Sequence, residues 1–177
     1  MKGIKWMEVQ LEDHNAVWRH EYELTRNQLI SILGNNVIDI QHVGSTSING
    51  ISAKPILDIG IVLHSFQSMD IAAMEQHGYK YMGPRNAESS RHLFIKYANS
   101  AKQDDIVVAH VHCYQNGDPD FEILVGFRDY LNTHPALAEE YDQLKKRLAE
   151  KYPNDRFAYS DGKRAFIDLE LSSQVQQ

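Results

Sequence analysis

The stretch HVGSTSINGISAKPILDI, residues 42–59, decides the fold of this chain. The residues that lead into it, 36–43, are rich in β-branched side chains and predict a strand. Its last residues belong to an apolar run, 56–63, which predicts a second strand buried on both faces. A small, polar, Gly-containing loop, 44–55, lies between the two. The stretch therefore predicts two strands joined by a polar loop, with one acid, Asp58, inside the second strand.

Helical and strand-like segments surround this stretch. Further strands are expected at 79–83, 91–98 and 105–115. Helices are expected at 12–33, 65–78, 118–134, 135–152 and 160–174. Asp13 or Asn15 can cap the first helix, Pro135 suits a first helical position, and Ser160 is the expected cap of the last helix. We therefore predict an α+β fold in a single domain, 1–177, in which a mixed sheet carries flanking helices and a helical C-terminal half.

The composition excludes several classes of function. The 177 residues carry a formal net charge of −6 without a basic arm, so a nucleic-acid partner is not expected. Cys113 is the only cysteine, which rules out an intrachain disulfide and a cysteine-based zinc site. We find no apolar segment of signal-peptide or membrane-spanning length. We therefore expect a soluble, cytoplasmic protein without a membrane partner.

The loop after the first strand has the composition of a phosphate cradle. Gly44 permits a close backbone approach that a side chain would block. Ser45, Thr46 and Ser47 add hydroxyl groups beside backbone N–H groups, a combination that can hold a phosphate. The spacing is not that of a Walker loop. A polar turn without a ligand explains the same residues, and the sequence leaves both interpretations open.

Asp58 interrupts an apolar strand, where a carboxylate is costly without a partner. Its neighbours on the same strand face are Ile56 and Gly60, and we expect the glycine to leave open space beside the carboxylate. A carboxylate that faces a Gly-Ser loop suits a divalent cation held over a phosphate. The alternative is an aspartate that accepts backbone hydrogen bonds at a strand end.

Histidines can complete a metal site with Asp58. His110 and His112 lie two residues apart on a predicted strand, so both should project from one face. His42 directly precedes the Gly-Ser loop and could join them. The four residues would form a mixed nitrogen and oxygen site that suits Zn²⁺, Mn²⁺ or Fe²⁺ more than Mg²⁺. Structural histidines that bond to the backbone are the alternative.

The chain resembles the GrpB-like family in four stretches, which occur in the family's order. The stretches are HVGSTSINGISAKPILDI, HVHCY (110–114), VGFRDYLNTHPALAEEYDQLKKRLAEKY (125–152) and FAYSDGKRAFI (157–167). The resemblance covers nearly the whole chain and implies the fold of the nucleotidyltransferase superfamily, with a polymerase β-like palm. In some bacteria a GrpB-like domain is fused to dephospho-coenzyme A kinase, which implies a link to coenzyme A metabolism.

The superfamily's active-site pattern begins with an apolar residue and a Gly-Gly or Gly-Ser pair. After a spacer, it ends with two acids separated by one residue. This chain departs from the pattern at one position. The matching residues are Val43, Gly44, Ser45 and Asp58. Gly60 stands where the second acid is expected, although nucleotidyl transfer in this superfamily uses two carboxylate-bridged metal ions. The resemblance implies a third acid on the strand of His110 and His112. Either these histidines replace missing ligands, or the domain binds a phosphorylated ligand without transferring it.

The resemblance also selects basic residues as candidate phosphate ligands. They are Lys54, Arg91, Arg128, Lys145 and Lys163. For Arg128, an internal ion pair with a carboxylate is the alternative to a ligand. Lys145 and Lys163 lie on separate predicted helices, and they can clamp a polyphosphate if both helices pack over the sheet. Otherwise they are solvated surface lysines.

These observations predict a nucleotidyltransferase, or a protein that binds a nucleotide or another phosphorylated small molecule. The implied cofactor is a divalent metal, Mg²⁺, Mn²⁺ or Zn²⁺, and the predicted catalytic residues are Asp58, His110 and His112. A second hypothesis is a non-catalytic module for a phosphorylated metabolite, which Gly60 favours. A third is a metal-dependent hydrolase that uses the His-x-His strand.

Overall fold

A mixed sheet of six strands organises the described part of the chain. The computed structural model describes residues 1–84, 91–99 and 105–174, so the predicted domain span of 1–177 extends beyond them. The strands are β1 (Ile4–Lys5), β2 (Val37–Val43), β3 (Leu57–Leu63), β4 (Tyr79–Pro84), β5 (His92–Tyr97) and β6 (Ile106–Gln115). They lie in the order β2-β3-β6-β5-β4, and β1 pairs with β6. Every strand expected from the sequence is present, and β1 is additional.

The described chain has five α-helices, which together with the sheet confirm the α+β fold. They are α1 (Val17–Leu33), α2 (Ile71–Gln76), α3 (Pro119–Thr133), α4 (Pro135–Lys151) and α5 (Arg156–Gln174). Asn15 Oδ1 accepts a hydrogen bond from Val17 N at 3.0 Å, in agreement with its expected role at the start of α1. Within the described ranges, every helix is too short or too polar to cross a bilayer.

Three helix starts differ from the sequence prediction: α1 starts at Val17 and not at residue 12, and aspartates cap α2 and α5 at other positions than expected. Asp70 accepts a hydrogen bond from Ala73 N at 2.8 Å, so α2 starts after it and is much shorter than 65–78. Asp155 Oδ1 accepts hydrogen bonds from Phe157 N at 3.1 Å and Ala158 N at 3.0 Å, so α5 starts at Arg156. Ser160 is therefore not the cap of the last helix but lies inside it.

The pairing of β3 with its neighbours decides which side chains share a face of the sheet. β3 and β6 are parallel, and Asp58 lies opposite His110 while Gly60 lies opposite His112. Side chains of residues directly opposite each other project to the same side of a sheet. β2 is antiparallel to β3, and Val43 lies opposite Asp58. The residue before Val43 therefore projects to the other face.

Hydrophobic packing covers both faces of the sheet. On one face, Ile59 and Ile61 of β3 belong to a buried cluster with Leu29 of α1. On the other, Val62 and Tyr114 pack against Phe121 of α3. A third cluster joins α3, α4 and α5 with Ile48 and Ile51 of the loop after β2. The C-terminal helices thus pack over the polar loop and enclose the region around Asp58.

Candidate metal and phosphate site

Asp58 and two histidines form a compact cluster of ligand atoms. His110 Nδ1 lies 3.0 Å from Asp58 Oδ1, and His112 Nε2 lies 3.7 Å from the same oxygen. One ligand atom from each residue lies within 4.8 Å of the others, which is compatible with a single ion. The parallel register of β3 and β6 creates this arrangement, because it places the three side chains on one face. We call these three residues the triad.

The charge states in the triad suit metal binding. Burial alone would raise the pKa of Asp58, but the hydrogen bond from His110 and the nearby ring of His112 hold it well below its usual range. Burial lowers the pKa of His112 below its ordinary value, so this imidazole is neutral at neutral pH. A metal binds an ionised carboxylate and the lone pair of a neutral imidazole. Asp58 is therefore ionised and His112 uncharged, and a bound ion would replace the ring proton that His110 directs at the carboxylate.

The second ring nitrogens of the two histidines are not held by backbone groups of the described structure. His110 Nε2 and His112 Nδ1 are buried and have no hydrogen-bond partner within the described structure. A structural histidine would satisfy these atoms with backbone groups, since an unpaired buried nitrogen costs free energy. The alternative of backbone-bonded histidines therefore finds no support at these two positions.

The Gly-Ser turn packs directly against the carboxylate of Asp58. Gly44 has a φ of +70°, and a Cβ at this position would lie 2.5 Å from Asp58 Oδ2. Both the left-handed backbone and the close approach require glycine. The turn that follows is a short 3₁₀ helix, Ser45–Ser47, and the side chain of Ser45 shares a hydrogen bond with Tyr141. Gly44 thus lets the backbone of the turn lie beside the triad.

A cavity of about 170 Å³ opens at the triad and is surrounded by basic side chains. Lys54, Arg156 and Lys163 line it together with Ser45 and Thr46. Burial, and then repulsion from Lys54, lowers the pKa of Lys163 to about 7. A metal site at the floor and cations on the walls together favour an anionic ligand. We call this space the triad cavity.

Four residues that line the triad cavity were not predicted as site residues, and two of them, Arg156 and Tyr159, contact the basic or aromatic groups around it. The Arg156 guanidinium lies 3.5 Å from the centre of the Trp6 ring. The Nζ atoms of Lys54 and Lys163 lie 5.4 and 4.6 Å from the centre of the Tyr159 ring. The signal was present in the sequence, since Asp155 is a good helix cap. Starting the last helix at Ser160 left both residues outside it.

His42 does not join the triad, contrary to the prediction of a four-residue site. It lies opposite Ile59 in the sheet and so projects to the other face from Asp58. Its ring stacks on Tyr22 with a centroid distance of 4.8 Å, and its Nε2 lies 2.9 Å from Thr46 Oγ1. Burial lowers the pKa of His42 to about 4. It lines a separate cavity of about 500 Å³, which Ser47 also borders.

Lys145 and Arg128 are engaged in internal contacts instead of lining the triad cavity. Lys145 is fully buried, lies 3.4 Å from Asp142 Oδ1 and donates a hydrogen bond to the carbonyl of Ser52. Arg128 Nε lies 2.7 Å from Asp129 Oδ1, and its Nη1 donates to the carbonyl oxygen of His42 at 2.8 Å. The structure thus shows the ion pair that was the alternative for Arg128. Lys145 is neither a phosphate clamp of this cavity nor a solvated lysine.

Gly60 does not leave open space beside Asp58. A Cβ at Gly60 would lie 3.1 Å from Cε2 of Phe121, so the aromatic ring of α3 occupies this position. The glycine that stands at the expected second acid is therefore covered by the core. The described structure offers one carboxylate and two imidazoles here, a set that suits one ion and not a carboxylate-bridged pair.

The architecture of the described chain has a counterpart among distant solved structures. It is similar to the structure of Cid1, an RNA terminal uridylyl transferase, with a TM-score of 0.50 and 11% identity over 76% of this chain and 39% of the Cid1 chain. At that identity the similarity concerns the fold, which is nucleotidyltransferase-like.

The family follows from closer relatives. Residues 8–172 match the GrpB protein family, and the chain belongs to it. It is 37% identical over 171 residues to the glutamate-rich protein GrpB of Alkalihalophilus pseudofirmus, covering 95% of this chain and 97% of that protein. The crystal structure of the conserved protein GrpB from Enterococcus faecalis has a TM-score of 0.83 and 29% identity, covering 95% of this chain and 100% of the other.

Proposed function

We propose that this GrpB-family protein binds a nucleotide or another phosphorylated small molecule against one divalent ion held by the triad. The observation that carries the proposal is the triad itself, whose ligand atoms lie within 4.8 Å of one another beside the basic cavity. A cation at the floor and Lys54, Arg156 and Lys163 on the walls complement the oxygens of a phosphate chain. The backbone at Gly44 brings the turn close enough to contact the same ligand.

The donor set favours particular ions. Two imidazole nitrogens and one carboxylate suit Zn²⁺ or Mn²⁺ better than Mg²⁺, which prefers oxygen ligands. Three protein ligands leave coordination positions open for water or a phosphate oxygen. When bound, such an ion polarises a phosphoryl oxygen as a Lewis acid.

The residues around the triad support nucleotidyl transfer as the activity. Lys54 and Arg156 would neutralise charge that develops on the phosphate oxygens during transfer. Lys163, whose pKa is lowered to about 7, can hold or release a proton at Nζ near neutral pH. The acceptor in this proposal is a hydroxyl group, of a small molecule or of a protein, whose oxygen bonds to the α-phosphorus of a nucleoside triphosphate as it loses its proton, while the bond to the leaving pyrophosphate breaks.

Two other functions have specific observations in their favour. The covered position of Gly60 lacks the second acid and favours a module that binds a phosphorylated metabolite without catalysis. The two-histidine, one-carboxylate set resembles the ligands of catalytic zinc in hydrolases, which favours a metal-dependent hydrolase. Both alternatives use the same triad cavity, so product analysis separates them from transfer.

The test combines binding and product analysis in wild type and two aspartate variants. Protein freed of metal with a chelator is titrated with Mn²⁺, Zn²⁺ and Mg²⁺, alone and with nucleoside triphosphates or dephospho-coenzyme A. At a hundredfold excess over Kd, a bound ion should raise the free energy of unfolding by about 2.7 kcal/mol. Asp58→Ala should abolish this effect and the metal-dependent binding of the phosphorylated compound. Asp161→Ala, which removes an exposed acid of α5, is the matched control and should change neither.

Each outcome assigns a different function. Equal metal binding by wild type and Asp58→Ala would show that Asp58 is structural and that any phosphate binding is metal-free. Metal-dependent binding without chemical change supports the non-catalytic module. Release of phosphate in water alone supports the hydrolase, and a product that forms only with an added hydroxyl acceptor supports transfer.

A further inference from the structure

We propose that the phosphorylated ligand carries an aromatic heterocycle, which lies in an apolar groove between α3 and α5. The inference rests on the proposed function, because it takes the phosphate chain to lie in the triad cavity. The groove has a volume of about 280 Å³ and borders the triad. Nothing in the described core fills it.

The groove and the triad cavity form one continuous space. Ser45, Asp58 and Lys163 line both of them. A ligand whose phosphates contact the triad therefore extends into the groove without crossing a wall. Basic and metal-binding groups surround the triad cavity, whereas apolar side chains make up most of the groove, which Arg91, Asp120 and Arg128 also line.

Apolar side chains from both helices form the walls of the groove. The wall residues are Ile123, Leu124 and Phe127 of α3, and Ile167 and Leu171 of α5. Ile123 is 46% exposed and borders the open side of the groove. Covering it with an apolar ligand group would remove this surface from water. Ile123 is therefore the wall residue at which contact with the ligand can be tested.

Polar groups in the groove favour a heterocycle over an aliphatic chain. Asp120 lines the groove and is exposed, and Arg91 and Tyr114 line it as well, with Arg91 Nη1 3.4 Å from Tyr114 Oη. An alkyl chain would desolvate these groups without offering hydrogen bonds. A heteroaromatic ring presents an apolar face to the helices and hydrogen-bonding edges to Asp120 and Arg91. A nucleobase has this chemistry, and so does any similar ring on a phosphorylated metabolite.

The experiment compares triphosphates that differ only in what they attach to the phosphate chain. The whole protein, loaded with Mn²⁺, is titrated calorimetrically with ATP, UTP, ribose 5-triphosphate, decyl triphosphate and inorganic tripolyphosphate. We expect at least one nucleotide to bind about tenfold more tightly than ribose 5-triphosphate and tripolyphosphate, as one buried apolar ring predicts. Ile123→Gln should reduce nucleotide affinity about tenfold and leave tripolyphosphate binding unchanged. The matched control is Leu24→Gln, at an exposed leucine of α1 that does not line the groove.

The failures are distinguishable. If tripolyphosphate binds as tightly as every nucleotide, the groove proposal is overturned while the proposed function stands. The same follows if Ile123→Gln weakens all five compounds equally. Tighter binding of decyl triphosphate than of the nucleotides overturns the heterocycle in favour of an alkyl group. If none of the five compounds binds the Mn²⁺-loaded protein, the proposed function fails and the groove proposal fails with it.

Discussion

Two aspartates with lowered pKa values lie near the polar loop, and they differ in how their oxygens are satisfied. Asp142 of α4 is 4% exposed and receives hydrogen bonds from Ser52 N at 2.8 Å, from Ser52 Oγ at 2.6 Å and from Lys146 at 2.7 Å. Asp58 is 33% exposed and contacts two histidines whose other ring nitrogens have no partner in the described structure. The first carboxylate is enclosed by its partners, whereas the second opens into a cavity.

The hydrogen bonds of the two aspartates show which carboxylate is free to bind a ligand. Burial would raise the pKa of Asp142, but hydrogen bonds from Lys146 and Ser52 hold it below its usual range, as the histidines do for Asp58. The direction of the pKa shift therefore does not distinguish them. The number of hydrogen bonds that each carboxylate accepts does distinguish them. A carboxylate whose two oxygens already accept hydrogen bonds has no oxygen left for a ligand. Asp142 ties Ser52 of the loop to α4 and so holds the loop in place.

The largest expected effect separates the two aspartates by stability. Asp142→Ala should lower the free energy of unfolding by about 3–5 kcal/mol, because it leaves the fully buried Lys145 without its carboxylate. Asp58→Ala should lower it less, by about 1–3 kcal/mol, because His110 loses its hydrogen-bond acceptor at a carboxylate that is 33% exposed. Urea denaturation at pH 7 in the absence of metal measures both. Equal losses of stability in the two variants would contradict the distinction between Asp142, which its partners enclose, and Asp58, which opens into a cavity.

A smaller effect on stability tests whether a second acid can be introduced beside Asp58. Gly60→Asp should destabilise the protein by about 2 kcal/mol, because its side chain meets the ring of Phe121. It should not strengthen metal binding, although it restores the superfamily's two-acid pattern. Calorimetric titration with Mn²⁺ and urea denaturation give the two readouts. Gly60→Ala is the control for added volume without charge, and tighter Mn²⁺ binding by Gly60→Asp would show that the ring yields to the new ligand.

The smallest effect concerns His42, the histidine that the sheet separates from Asp58. Its pKa is lowered to about 4 in the folded protein against an ordinary 6.5, so below pH 6.5 the unfolded chain binds more protons and stability falls. His42→Gln removes this titration. Between pH 7 and pH 5.5, wild type should therefore lose about 1 kcal/mol more than the variant in urea denaturation. Identical losses would show that His42 is not held neutral against Tyr22.

Much of the fold could be predicted because its signals are local. β-Branched runs, alternation and the Gly-Ser loop identified the strands around Asp58, and His110 and His112 were correctly placed on one face. The start of α5 was missed, although its cap, Asp155, is in the sequence, because the apolar pattern alone does not locate helix ends. β1 has only two residues, which is too short for any periodic signal.

Which residues share the site could not be predicted to the same extent, because this depends on pairing between segments that are distant in the sequence. A shift of one residue in a strand moves every side chain to the opposite face, and the pairing of β2 with β3 is what excludes His42. Lys145 was equally undecidable, since a lysine on an amphipathic helix is ordinarily solvated. Here the packing of α4 against the loop buries it beside Asp142 and Ser52.

The sequence by itself determined the α+β order of elements, the turn at Gly44 and the presence of Asp58, His110 and His112 on two strands. These follow from spacing along the chain, which constrains neighbours in sequence. The parallel pairing of β3 with β6, which places Asp58 opposite His110, is visible only in the tertiary structure. The same holds for the contact of Phe121 with Gly60 and for the position of Arg156 in the wall of the triad cavity. These depend on contacts between segments dozens of residues apart, and the burial of apolar surface selects them.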